Sequence, residues 1–142
     1  MAQESPRLSA ARQAPRTSKG KLLLAIEDRG ELQYYRTILE GLKYSVRACR
    51  SFAEAARVLQ SETFDLVVIS QGTRQFEGRL VLERAMEIDR RIPVVVLARY
   101  LEMRCYMEAM QLGAVDYLAE PLTVLNIAQV VETHLRASAA SG

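Results

Sequence analysis

Three carboxylates are the residues best placed to do chemistry. Glu27 and Asp28 follow directly on the apolar run KLLLAI, and Glu120 stands before Pro121 in the stretch DYLAEPL. Brought together, Glu27, Asp28 and Glu120 would offer hard oxygen ligands suited to magnesium or calcium. Arg99 or Arg74 could instead pair with these acids, or crowding of like charges could keep one of them protonated. Ser70, which closes the run DLVVIS, has an ordinary hydroxyl and no evident base, because the sole histidine, His134, lies far along the chain and reads as a solvated surface residue. Cys49 and Cys105 have neither metal-ligand spacing nor the density of a disulfide framework, and read as reduced thiols. No activated nucleophile, glycine-rich phosphate loop or cofactor motif is visible, so the chain does not read as an enzyme and requires no cofactor.

Such residues need a fold to meet. From Lys21 onward short β-branched runs alternate with helical segments, the mark of a parallel sheet covered on both faces. Strands are expected at Lys21 to Ile26, Ser45 to Cys49, Leu66 to Ser70, Val94 to Ala98 and Asp116 to Ala119. The first, third and fourth are nearly unbroken apolar, as central strands are. Leu32, Tyr35, Ile38, Leu39 and Leu42 recur at helical spacing, with Gly41 as the breaker. Ser51 and Glu54 have the form of a capping box that opens a second helix toward Leu59. Val81, Leu82, Ala85 and Ile88 mark a third helix, stopped before Pro93. The fourth carries Met103, Tyr106, Met107 and Met110, mostly core by their spacing, and stops at Gly113. Ile127, Val130, Val131 and Leu135 form one face of the fifth. Five βα units with short connections predict an α/β, flavodoxin-like (βα)5 doubly wound parallel sheet of order 2-1-3-4-5. Its crevice lies beyond the carboxyl ends of the strands, which puts Glu27, Asp28, Ser70, Ala98, Arg99, Glu120 and Pro121 on one edge.

Charge and composition narrow the partners. The formal charge is +2 over 142 residues, yet Arg7, Arg12, Arg16 and Lys19 against Glu4 place +3 within residues 1–20 and leave −1 for the rest. A folded part so balanced has no concentrated basic face for nucleic acid. Residues 1–20 read as a disordered basic N-terminal tail, 21–137 as the domain, and 138–142 as a disordered C-terminal end. The longest apolar runs are far short of the roughly 20 residues of a membrane span, and no secretory signal is visible; a cytoplasmic protein is expected.

Four segments carry a resemblance to the receiver domains of response regulators in two-component signalling. KLLLAIED at 21–28 resembles the first strand with its acidic pair, DLVVIS at 65–70 the third strand, PVVVLAR at 93–99 the fourth, and GAVDYLAEPL at 113–122 the fifth with its turn before proline. The resemblance runs over about residues 21–136. It implies that Glu27 and Asp28 stand where the family holds magnesium. It also implies that Ser70 stands at the phospho-accepting aspartate, Ala98 at the hydroxyl residue and Glu120 at the lysine, before a cis Pro121. Tyr117 matches the aromatic that changes rotamer in the family, and without a hydroxyl at Ala98 a fixed ring is expected.

Phosphoryl transfer needs a nucleophile and cations around the equatorial oxygens, and here each of these is altered. The reading that follows is a degenerate pseudo-receiver, a protein-interaction module independent of phosphate. Its docking surface is the face of the fourth helix, fifth strand and fifth helix, with Tyr100, Leu101, Met103, Arg104, Tyr106, Met107 and Tyr117 at the switch and interface. Its partner would be a kinase, an output or motility protein, or a second copy. The alternatives are a phosphorelay receiver modified at an unusual residue, or a regulatory domain binding a divalent metal.

Overall fold

A computed structural model describes residues 18–141. Five parallel strands, β1 (Lys21–Ala25), β2 (Ser45–Cys49), β3 (Leu66–Ser70), β4 (Val94–Ala98) and β5 (Asp116–Ala119), stand in the order β2-β1-β3-β4-β5. Between and after them run α1 (Arg29–Gly41), α2 (Phe52–Ser61), α3 (Arg79–Ile88), α4 (Met103–Leu112) and α5 (Val124–Ser141). This is the expected flavodoxin-like fold, with β1 one residue shorter than expected. Ile26 still extends its ladder, its N–H donating to the Cys49 carbonyl at 3.1 Å.

The apolar runs form central strands because both of their faces are covered. Leu23, Ala25, Val67, Ile69, Val94 and Val96 pack against Phe52, Ala55, Val81, Leu82, Cys105 and Ala109 of α2, α3 and α4. The alternate residues Leu22, Leu24, Leu66, Val68, Val95 and Leu97 pack against Leu32, Tyr35, Leu39, Ile127 and Val131 of α1 and α5. That is the two-residue period of a strand, sorted into two cores. Side-chain caps start three of the helices, α5 among them through Thr123 Oγ1, which accepts from the Asn126 N–H at 3.1 Å. Asp28 Oδ2 accepts from the Glu31 N–H at 2.9 Å, and Ser51 Oγ from the Glu54 N–H at 3.2 Å.

Several local expectations are corrected. Met103, Tyr106, Met107 and Met110 are exposed, and α4 buries the small residues Cys105 and Ala109 instead. The helical period was read on the wrong stripe: small side chains let α4 lie close to the core and leave the large ones outside. Gly41 is the last residue of α1, and the chain leaves the helix through Lys43, whose φ of 78° is left-handed. Residues 138–141 continue α5 rather than fray. His134 is not a solvated surface residue; its side chain is 18% exposed and its Nε2 lies 3.1 Å from Asp116 Oδ2, tying α5 to the start of β5. Most of the expected N-terminal tail, residues 1–17, lies outside the described residues. Within its last three, the Lys19 N–H donates to the Lys43 carbonyl at 2.9 Å.

Geometry requires glycine at several positions, Gly113 and Gly78 among them. Gly113 closes α4 at a φ of 115°. At Gly78 a β-carbon would stand 2.0 Å from the Ser70 carbonyl oxygen, so the start of α3 can approach the end of β3 only without a side chain. Gly78→Ala should therefore destabilise the domain by about 1–3 kcal/mol, the usual range for forcing atoms into a packed interior. Urea denaturation checks this, and an unchanged midpoint would show that the β3–α3 junction yields freely.

Candidate functional site

At the carboxyl ends of β1, β3 and β4 opens a cavity of about 570 Å³, lined by Glu27, Asp28, Glu31, Ser70, Arg99 and the loop from Gly72 to Gln75, with Tyr100 at its side. The strand ends bring Glu27, Asp28, Ser70 and Arg99 together as the topology requires. Arg99 fills the role of internal cation: its guanidinium pairs with Glu31 and lies 4.0 Å from Asp28 Oδ2. Arg74 turns instead to Glu102, with Nε 3.8 Å from Oε2. Ser70 Oγ accepts the Gly72 N–H at 3.1 Å. Beside it, Glu77 accepts from the Thr73 N–H and hydroxyl, both at 2.7 Å, and the bond from the hydroxyl holds its carboxyl below the usual range.

Glu120 does not join this pocket. It precedes the cis bond to Pro121 and lines a separate, largely apolar groove of about 380 Å³ with Gly30, Tyr34, Tyr35 and Pro121. Its Oε2 is buried without a hydrogen-bond partner. Burial pushes the Glu120 carboxyl up, opposed by the nearby Tyr35 hydroxyl and by Arg99. Tyr35, 2% exposed, is itself pushed up to about 12, chiefly by burial, with Glu120 adding to the shift. The set Glu27, Asp28 and Glu120 is thus not assembled. Among the described residues no group of three or more His, Cys, Asp or Glu side chains is placed to hold a metal ion. The physical reason is Arg99, which lines both cavities and stands between the acids. Receiver domains bind magnesium at the phosphorylation site, and of the three expected carboxylates Glu27 and Asp28 remain in the cavity as oxygen donors. One of the two remaining acids, Asp28, caps α1 and neighbours a guanidinium.

Of the expected interface residues, Tyr100, Leu101, Met103, Tyr106 and Met107 are exposed. Arg104 is engaged, bonding to the Arg74 carbonyl and to Glu108. Tyr117 points inward, where its hydroxyl donates to Gln71 Oε1 and accepts the Glu102 N–H at 3.2 Å. Gln71 is the residue that sequence reasoning missed. It is the one fully buried polar side chain among the described residues. Its only signal was its place directly after Ser70.

The family model of the response regulator receiver domain matches residues 23–132. The chain belongs to that family. This receiver domain is 31% identical over 103 residues to the alginate biosynthesis transcriptional regulatory protein AlgB of Pseudomonas aeruginosa, a match covering 72% of the chain and 23% of the relative. It is 26% identical over 114 residues to the transcriptional regulatory protein ZraR of Escherichia coli, covering 80% of the chain and 26% of the relative. The receiver domain spans about a quarter of the length of these curated relatives. A solved response regulator receiver domain from Methanospirillum hungatei superposes with a TM-score of 0.81 at 20% identity, over 86% of this chain and 98% of that one. No helix among the described residues is long and apolar enough to cross a membrane.

The buried carboxyl gives this receiver domain a pH signature. A carboxyl whose pKa is raised on folding binds its proton more tightly in the native state. The stability this contributes is full below the unfolded pKa and is lost as pH rises through the folded one. Glu120→Gln keeps the neutral shape at all pH values. It should gain stability over wild type between about pH 4 and about pH 7, read from urea midpoints at both; a difference independent of pH would show that Glu120 is solvated.

Proposed function

We propose that this receiver domain signals by protein contact rather than by phosphoryl transfer, with Ser70, Ala98 and Glu120 standing where the family uses aspartate, a hydroxyl residue and lysine. The chemistry supports the reading. Ser70 already accepts a backbone N–H, and no hydrogen bond among the described residues links its hydroxyl to a base. Ala98 is fully buried and has no hydroxyl to offer, and Glu120, turned into the neighbouring groove, supplies no cation where lysine would bind phosphate. Arg99, the nearest cation, is committed to Glu31 and Asp28.

The observation that carries the positive half is the apolar surface left in water. Tyr100 is 56% exposed, Leu101 64% and Met103 70%, with Tyr106 and Met107 alongside on α4. Aromatic and Met side chains of this kind anchor protein interfaces. The partner is a signalling protein, a kinase, output or motility component, or a second copy of the chain. Nothing in the folded charge pattern suits nucleic acid.

Two measurements test the two halves. Incubation with labelled acetyl phosphate should leave no stable label, and stable label would restore a phosphorelay role at an unusual residue. Replacing Tyr100 and Leu101 together by Ser should abolish association, read as sedimentation mass and as co-purification with the partner. The unfolding free energy should move by no more than about 0.5 kcal/mol, as is usual for surface positions. Unchanged mass and unchanged co-purification would remove this face from consideration.

A further inference from the structure

The Gln71 amide makes three hydrogen bonds. Nε2 donates to the carbonyls of Thr73 at 3.3 Å and Tyr100 at 3.2 Å, while Oε1 accepts from the Tyr117 hydroxyl. Its backbone N–H donates to the Leu97 carbonyl at 2.8 Å, and its own carbonyl accepts from the Gly78 N–H at 3.1 Å. Only one amide orientation is consistent with these neighbours. Flipped, an oxygen would face two carbonyl oxygens, and both donors would be lost inside the fold. The side chain therefore joins three segments: the loop after β3, the loop after β4, and β5.

What these segments carry gives the bond set its consequence. Thr73 and Tyr100 both line the charged pocket. Tyr100 and Leu101 belong to the exposed apolar surface, and Tyr106 leans on Tyr117 edge to face, with ring centroids 5.6 Å apart. The Tyr117 hydroxyl also receives the Glu102 N–H, which closes the chain of bonds back onto the loop after β4. No charged side chain of the pocket takes part. Burial keeps Tyr117 a neutral phenol, so its role as donor does not vary near neutral pH. β4 ends in Ala98, which has no hydroxyl, and the partner of Tyr117 comes from the loop after β3 instead.

We infer that Gln71 is a strut. It holds Tyr117 inside the fold and sets the course of the loop after β4, so that the Tyr100, Leu101 and Tyr106 surface keeps one form whatever occupies the charged pocket. This deepens the contact-based reading and rests on it for its biological consequence only; the strut itself is intramolecular and is tested without a partner.

The test uses the full chain and hydrogen exchange by NMR. Gln71→Met keeps length and bulk but removes all three side-chain bonds. It should speed exchange of the Glu102 amide by about fivefold or more, the scale of one lost hydrogen bond, while the Val96 amide in β4 stays protected. In the wild type, millimolar magnesium with acetyl phosphate should change neither Glu102 exchange nor the contacts between the Tyr117 and Tyr106 rings. That second measurement stands even where the variant does not fold. Unchanged Glu102 exchange in Gln71→Met, or a Tyr117 ring that leaves Tyr106 on treatment of the wild type, would overturn the strut. Loss of association on changing Tyr100 and Leu101 is a separate readout, so failure of the docking face and failure of the strut are told apart.

Discussion

Burial of β1, β3 and β4 on both faces is the constraint on which everything else rests. Their apolar residues are fully excluded from water, and their backbone groups are paired in a parallel ladder that matches Leu22 with Leu66 and Val67 with Val94. A strand so placed cannot carry a charge in mid-run without a cost of several kcal/mol, about the effective penalty for desolvating one ion. Polar chemistry is therefore expelled to the strand ends. There the α/β topology gathers Glu27, Asp28, Ser70 and Arg99 without any local attraction between them.

Once gathered, the charges are balanced from within. Arg99 sits half exposed between Glu31 and Asp28, and ion pairs that wet contribute only about 0–1 kcal/mol. The arrangement does little for stability, and it places a guanidinium beside the Asp28 carboxylate at the cavity. Glu120 follows a different logic. Turned beneath Tyr35 and away from the pocket, it retains a buried oxygen without a partner, which costs more than an exposed pair returns. A carboxylate on the rim would have been cheaper, and Glu120 lies instead in the groove by Tyr34 and Pro121.

The fold was legible because it depends on patterns that repeat. Five βα units, the unbroken runs of β1, β3 and β4, and Ser51 with Glu54 are all local signals, and local signals agree with the architecture here. What could not be read was whichever property depends on a neighbour from elsewhere in the chain. The spacing of Met103, Tyr106, Met107 and Met110 marks a helix correctly, but which stripe turns inward is decided by how closely α4 must approach the core, and Cys105 and Ala109 are the residues small enough. His134 finds Asp116 only after α5 has packed beside β5. Glu120 looked like a third pocket ligand because strand ends converge, but convergence of backbones does not fix the direction of a side chain. Gln71 had no motif at all: it is defined by three partners at positions 73, 100 and 117, which sequence spacing does not link.

The energies of these two polar systems decide how far they can communicate. Ser70 and Gln71 are successive residues, yet the hydroxyl of one turns to the Gly72 N–H in the pocket while the amide of the other turns into the core. To move Tyr117, a ligand in the pocket would have to break buried amide bonds whose unpaired groups cost about 1–3 kcal/mol each. Carrying a two-state equilibrium from one side to the other takes about 5.5 kcal/mol of differential binding. The partly exposed ion pairs at the pocket, Arg99 with Glu31 and Asp28 and Arg74 with Glu102, are each an order of magnitude too weak to provide it. On the contact-based reading proposed above, a receiver fold in this form keeps the geometry of a switch without the energy that would throw it, and its surface acts as a fixed shape.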